Sequence, residues 1–566
     1  LQDMFPDWAE RRAPWIVAGL AAIAALAGVF TLPVLDRDEA RFAQATAQML
    51  GTGDFVEIRY LDQPRHKKPA GIHWLQAASV SALSSAEARA IWAYRLPSLF
   101  GATLAALAVF LAASALLDRR AAFAGAALFG TSLVLGVEGG IAKTDAVLAA
   151  TVALAFWAFV RTRLAFDEGR RAWPWALACW IAVAASVLIK GPVGPAMVGL
   201  AVIALSLWER RIDWWRPFLH WSGPLAAAAI LAPWLIAVQI ATDGAFIREA
   251  FLGDIAPKLV SGHETHGAPP GVHLAMLPVL FFPAIVFLPA GIAAAVNALR
   301  EGGAAAGHAR LLVVFAAPLW IVLELTPTKL PHYALPTYPA LAVLAGWGFA
   351  AWGETRRLWR AAGAALLLVG GAAAGLGTVA LARWFDGPEV VAATTATAVI
   401  VAAIAAAVAA LGARAGRAAM LAVVAGLAWH VGARGLVAPR AEALFLAPRA
   451  IAAIEREDLR PADATVWSTY TEPSLAFLLG GDVRLLGFGE LAALSPDLDR
   501  PHMVVIDMSR WAENAGADRA AREAFFARLD AAACRRYAVE GFNYSRGDPA
   551  VLLIMTTGPC GETETR

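Results

Sequence analysis

Cysteine is nearly absent from this chain, with 3 in 566 residues. Cys179 lies inside an apolar run, and Cys534 and Cys560 lie near the C-terminus. None has the close spacing of a thiolate metal site, which excludes a cysteine-ligated centre. Were the C-terminal region external, Cys534 and Cys560 would be free to pair; two unlinked thiols are the simpler reading. Charge is scarce as well. Asp, Glu, Lys and Arg make up 16% of the residues, where soluble domains carry about a quarter. The net charge of +2 says little about partners, and no nucleic-acid partner is expected. No repeat of solenoid period is visible, nor an inverted pair of interrupted helices of the kind transporters use.

What the chain has instead is apolar length. Hydrophobic residues make up 59% of it, gathered in runs that approach the roughly 20 residues an α-helix needs to cross a bilayer. One soluble core could not hide so many runs, so lipid is the solvent for most of them. The pattern predicts about thirteen spans, near 14–35, 92–117, 121–137, 145–164, 173–189, 193–208, 221–240, 271–298, 309–325, 334–352, 360–383, 393–412 and 417–436. The first is too long and too well flanked for a secretory leader, and is read as a true span.

Orientation follows from Lys and Arg in the short loops. With Arg11 and Arg12 in the cytoplasm, every second loop should be basic. Arg119 and Arg120, the set from Arg161 to Arg171, Arg210 to Arg216, Arg300 with Arg310, Arg356 to Arg360, and Arg414 with Arg417 fit that alternation. The count predicts an external C-terminus. Two domains are expected: a transmembrane domain over 1–439 and an external α/β domain over 440–566. Within the first, 36–91 and 241–270 form long external loops. Asp38 to Leu50 and Gly71 to Leu83 read as short amphipathic helices. In the C-terminal domain, Ala464–Trp467, His502–Asp507 and Ala550–Met555 read as strands, and Ala520–Asp530 as a helix.

Five motifs carry the chemistry, and all fall on the external side. Asp36-Arg37-Asp38-Glu39-Ala40-Arg41 follows the first span. Its competing reading is an interfacial anchor, but anchors use Lys, Arg, Trp and Tyr rather than a carboxylate cluster. Arg65-His66-Lys67-Lys68-Pro69 can hold a phosphate, Lys as a point charge and Arg through two oxygens; attraction to anionic lipid headgroups is the equal alternative. Glu138, Lys143 and Asp145 are the only charges in a very apolar stretch, and ionisable residues at such depth usually line a cavity; a Lys143–Asp145 pair closing a helix end is the plainer account. Lys190, in Lys-Gly-Pro, stands alone on the outer side. Thr326-Pro-Thr-Lys-Leu-Pro-His-Tyr places Lys329, His332 and Tyr333 before the tenth span. For these last two, a snorkelling Lys at a helix end is the alternative. His263, Glu264 and His266 are weak candidates for a divalent metal, and hydrogen-bonding loop residues are the commoner case.

These motifs together resemble the bacterial lipid-linked sugar transferases of the GT-C fold, relatives of the protein O-mannosyltransferases, and within them the aminoarabinose transferases that modify lipid A. The likeness rests on Asp-Glu-x-Arg at 38–41, Lys-Lys-Pro at 67–69, Ala-Lys-x-Asp at 142–145, Lys-Gly-Pro at 190–192 and Lys-Leu-Pro-His-Tyr at 329–333. It departs at His66 and Lys67, where many of those transferases carry an acidic residue and an aromatic. The resemblance implies a polytopic helical membrane protein with an external α/β domain, resident in the bacterial inner membrane. Its substrates would be an undecaprenyl-phosphate-linked sugar and lipid A, and it would act as a monomer among membrane lipids, without a required cofactor. Asp38, Glu39 and Asp145 would be the catalytic carboxylates. Arg41, Lys67, Lys68, Lys143, Lys190, Lys329, His332 and Tyr333 would bind substrate. A transferase of another prenyl-phosphate sugar is the nearest alternative, and a flippase for such a lipid is the alternative of another class.

Overall fold

A backbone surrounded by hydrocarbon must satisfy its own hydrogen bonds, so apolar runs of this length fold as helices. The computed structural model describes residues 7–250, 252, 267–460, 464–494, 497–511 and 519–558. Helices occupy most of each of the thirteen expected segments, but the first begins at Asp7 and ends at Leu26, so that 27–35 is turn and loop rather than span. Among the described residues nine helices are long and apolar enough to cross a membrane, and ten if the bent pair Arg119–Gly130 and Leu133–Gly139 is one span. The other three expected segments are Asp7–Leu26, Val193–Glu209, and a helix broken into Val272–Leu280 and Leu288–Glu301.

The two broken helices correct the expectation of continuous spans. The first bends by 58° where the Thr131 and Ser132 hydroxyls turn back onto the Ala127 and Phe129 carbonyls at 3.0 and 2.7 Å. The second breaks where Pro278, Pro283 and Pro289 crowd one run, since proline removes a helix hydrogen bond and clashes with the preceding turn. The breaks meet: the Leu133 N–H donates to the Phe282 carbonyl at 2.9 Å. Each opening in one ladder is partly closed by the other.

Small residues let the spans approach. On helix Ile91–Leu116, a Cβ at Gly101 would stand 2.8 Å from the Ala146 carbonyl carbon of helix Asp145–Asp167, the close backbone contact that small residues permit between membrane helices. The expected external loop holds helices Asp38–Thr52 and Gly71–Leu83, joined through a hairpin of β1 (Arg59–Tyr60) and β2 (Gln63–Pro64).

The C-terminal domain is a five-stranded sheet between helices. Its strands are β3 (Thr465–Ser468), β4 (Val483–Leu485), β5 (His502–Asp507), β6 (Arg535–Asn543) and β7 (Asp548–Thr557), in the order β4-β3-β5-β7-β6. β3 runs parallel to β4 and β5; β7 runs antiparallel to β5 and β6. Every residue of β5 is buried, as expected of a strand covered on both faces. Met503 and Val505 pack with Ala450 and Ile454 of helix Leu446–Arg456. Val504 and Ile506 pack with Phe525 and Leu529 of helix Arg519–Ala532.

The candidate active site

Six separate segments converge on one cavity of ≈ 320 Å³. The start of helix Asp38–Thr52 supplies Asp36 to Arg41, and the turn before helix Gly71–Leu83 supplies Arg65, Lys67 and Lys68. The turn before helix Asp145–Asp167 supplies Lys143 and Asp145. Helix Trp173–Lys190 ends on Lys190, the segment before Tyr338 adds His332 and Tyr333, and the β6–β7 hairpin adds Tyr544. One close approach makes this convergence possible. A Cβ at Gly71 would lie 2.6 Å from the Leu188 carbonyl oxygen, so only glycine lets the first loop settle beside Lys190.

The cavity floor is a charge network. The Lys143 ammonium sits 2.9 Å from Glu138 and 3.7 Å from Asp145. Lys190 donates to the other Asp145 oxygen at 2.5 Å. The His332 ring lies 3.8 Å from both Glu138 and Asp145, and the Lys190 ammonium stands 5.6 Å from the Tyr333 ring centre. Burial presses Lys143 toward neutrality, but Glu138 and Asp145 outweigh it and hold the ammonium charged. Lys143 and Lys190 are therefore largely neutralised by carboxylates, and their geometry is fixed by them.

Asp38 is different. It faces the open cavity, and among the described residues its carboxylate takes no direct hydrogen bond or ion pair. Burial would raise its pKa, but Lys143, Arg65, His332 and Lys190 outweigh that and hold it below the ordinary 3.8. It is an ionised carboxylate poised among cations. Among the described residues Arg41 and Lys67 also reach the cavity without an ion pair.

Two expected site residues have other duties. Glu39 is 1% exposed and its four acceptor positions are filled. Oε1 accepts from Arg95 Nε at 2.8 Å and from the Ala142 N–H at 2.7 Å, and Oε2 from Arg95 Nη2 and the Leu35 N–H at 2.8 Å each. A carboxylate has about four lone-pair sites, so Glu39 keeps none for a substrate. It ties the first loop to the turn that carries Lys143. Lys329 does not line the cavity. Its ammonium donates to the Thr326 and Ala268 carbonyls at 2.5 and 3.0 Å, closing the loop that presents Thr328, Leu330, His332 and Tyr333. His66 also turns away, 2.9 Å from Glu249. His263, Glu264 and His266 lie outside the described residues, as does Cys560. Cys534 is disulfide-bonded, against the simpler reading of unlinked thiols, and no cluster of three metal-ligating side chains occurs among the described residues.

Sequence reasoning missed Arg95 and Tyr544. Arg95 is fully buried and, besides Glu39, donates to the Val29, Leu32 and Pro33 carbonyls at 2.9, 2.7 and 2.8 Å. A lone Arg inside an apolar run was the available signal. Tyr544 had none, because its position depends on how the C-terminal domain docks. That docking is direct. The Asp36 N–H donates to the Tyr544 hydroxyl, and the Ser474 N–H donates to the Asp36 carboxylate at 2.9 Å. Burial pushes the Asp36 carboxyl up to about 6. Next to it, Arg37 has φ 60° and ψ −97°, a sparsely populated conformation that costs of order 1–3 kcal/mol and survives only where its surroundings impose it.

Over 98% of this chain and 99% of the other, the structure superposes on ArnT of Cupriavidus metallidurans, solved with bound undecaprenyl phosphate, at a TM-score of 0.70 and 17% identity. The fold is of the GT-C type. Residues 67–236 match the family described as dolichyl-phosphate-mannose-protein mannosyltransferases. A curated protein of Erwinia tasmaniensis, named undecaprenyl phosphate-alpha-4-amino-4-deoxy-L-arabinose arabinosyl transferase, is 28% identical over 311 residues, 54% of each chain. Its namesake in Pseudomonas aeruginosa is 27% identical over 317 residues, 55% of this chain and 54% of that one. The matches thus span about half the length of these curated relatives. The archaeal oligosaccharyltransferase AglB of Archaeoglobus fulgidus, solved with a peptide and a dolichol-phosphate, shares the fold more distantly, with a TM-score of 0.52 and 12% identity over 75% of its length.

Proposed function

We propose that this GT-C protein is a glycosyltransferase. In this reading it moves 4-amino-4-deoxy-L-arabinose from undecaprenyl phosphate to a phosphate of lipid A, at the periplasmic face of a bacterial inner membrane. The observation that carries the reading is the ionised Asp38, without a direct partner among the described residues, in a cavity walled by Arg41, Arg65, Lys67 and Lys68. The names of the curated relatives and of the fold match suggest the donor; lipid A as acceptor rests on the motif resemblance.

The reaction breaks the bond between the anomeric carbon and the carrier phosphate oxygen and forms one to an acceptor phosphate oxygen. The acceptor is already an anion and needs no strong base. The larger task is to stabilise charge that grows on the leaving phosphate, which preorganised cations do well in a site of low dielectric. Arg41, Lys67 and Lys68 take that role, in place of the Lys329 expected from the motif. Asp38 faces the sugar, orients it and offsets the positive charge that develops on the ring. Direct attack from the opposite face inverts the anomeric centre. Glu138 and Asp145 hold Lys143 and Lys190 in place beneath. No cofactor is needed for this chemistry, and the protein acts as a monomer.

Mass spectrometry of lipid A from cells with and without the gene tests the reading. An added aminopentose that depends on the gene supports it. Unchanged lipid A alongside an altered glycan or glycoprotein would transfer the reading to another prenyl-phosphate sugar and acceptor.

A further inference from the structure

The segment 35–39 is pinned from two sides. From the membrane domain, Arg95 holds Glu39, and Glu39 in turn accepts the Leu35 N–H. From the C-terminal domain, Tyr544 accepts the Asp36 N–H and the Ser474 N–H donates to the Asp36 carboxylate. Asp38 lies between the two pins. We propose that the C-terminal domain takes part in catalysis by gripping Asp36 at both its backbone and its side chain, which makes Tyr544 and Ser474 positioning residues that set the direction of Asp38. This inference rests on the transferase reading above and deepens it.

Three observations support a working grip rather than a passive contact. Arg37, between the gripped residue and Asp38, has the φ 60°, ψ −97° backbone that only an imposed geometry maintains. The hairpin carrying Tyr544 is itself braced: Glu472 accepts from Asn543 and Arg546 at 3.1 Å each and lies 3.9 Å from Arg37. The domain is also firmly seated on the same loop. Arg89 bridges the Gln44 side chain at 2.8 Å and the Gly480 carbonyl at 2.6 Å, and Phe477 meets Tyr94 edge-on at 5.5 Å. The Tyr544 hydroxyl reaches Asp36 as an acceptor and keeps its own proton for the cavity that it lines.

The test uses the purified full-length protein. Tyr544→Phe keeps the ring and deletes the acceptor. Ser474→Pro deletes the N–H donor in the first turn of helix Pro473–Leu478, where no intrahelical hydrogen bond is lost, and its melting temperature is compared with that of wild type so that a folding defect is told apart from a lost grip. Each should lower kcat for sugar transfer by about 10- to 100-fold while the KM for the lipid donor stays within about twofold, because misdirection of Asp38 is felt in the transition state. Hydrogen exchange at the Asp36 amide should speed up in Tyr544→Phe and remain unchanged in helix Asp145–Asp167. Wild-type kcat in both variants, or a rise in KM alone, overturns the proposal. Asp38→Asn is assayed beside them. If it is inactive while both variants are normal, the grip falls and the reaction reading stands; if it is as active as wild type, the reaction reading falls and the grip with it.

Discussion

Replacing Glu39 with Gln should unsettle the fold far more than its one-atom change suggests. Each Glu39 oxygen accepts two N–H groups, one from the Arg95 guanidinium and one from the backbone. An amide nitrogen must take the place of one oxygen, where it points its own hydrogens at two donors. Two hydrogen bonds are lost and Arg95, with no exposed surface, is left without its counter-charge. Removing one partner of a buried pair costs roughly 3–5 kcal/mol, and Glu39→Gln should fall in that range. Denaturant-induced unfolding of the full chain in mixed micelles would measure it. Glu39→Gln should lose transfer activity together with stability, and Arg95→Met should behave alike. Wild-type stability with abolished transfer would refute the structural assignment and return Glu39 to the chemistry.

Asp38→Asn should show the opposite pattern, with a melting temperature near that of wild type, since its carboxylate ties together no two elements among the described residues. Asp36→Asn should be more stable than wild type above about pH 6, the advantage vanishing below about pH 4. The raised carboxyl means that the fold favours the protonated form, so wild-type stability declines as pH climbs from the unfolded to the folded pKa; parallel unfolding curves across that range would contradict this. Gly71→Ala should lower activity by forcing the first loop away from the Leu188 carbonyl, and near-normal transfer would show that the loop can shift without harm. Lys329→Met should loosen the 326–331 loop, seen as faster hydrogen exchange there, with an effect on rate smaller than that of Lys68→Ala.

The membrane architecture was legible because its signal is length and composition, which depend little on tertiary detail. Helices Asp38–Thr52 and Gly71–Leu83 were legible from amphipathic spacing, and β5 from its run of apolar residues. The broken helices were not. Thr131, Ser132 and the prolines of 278–289 can sit in continuous or interrupted spans, and the choice is made by the contact between the two breaks. The motifs named most of the cavity wall, because charges are rare enough here that each one stands out. They could not separate Asp38 from its neighbour Glu39, because which of two adjacent carboxylates meets Arg95 and which meets the cavity is decided by where the helix turn points them. Nor could they reveal Tyr544, whose place follows from a docking contact between residues more than five hundred positions apart.

The central claim is that Asp38 and the cations facing it carry out sugar transfer. The direct measurement is the rate at which purified protein moves the aminopentose from its undecaprenyl-phosphate donor to lipid A, compared among wild type, Asp38→Asn and Lys68→Ala. Both variants should fall by about 10²–10³ in rate while remaining folded; near-equal rates in all three proteins would contradict the account.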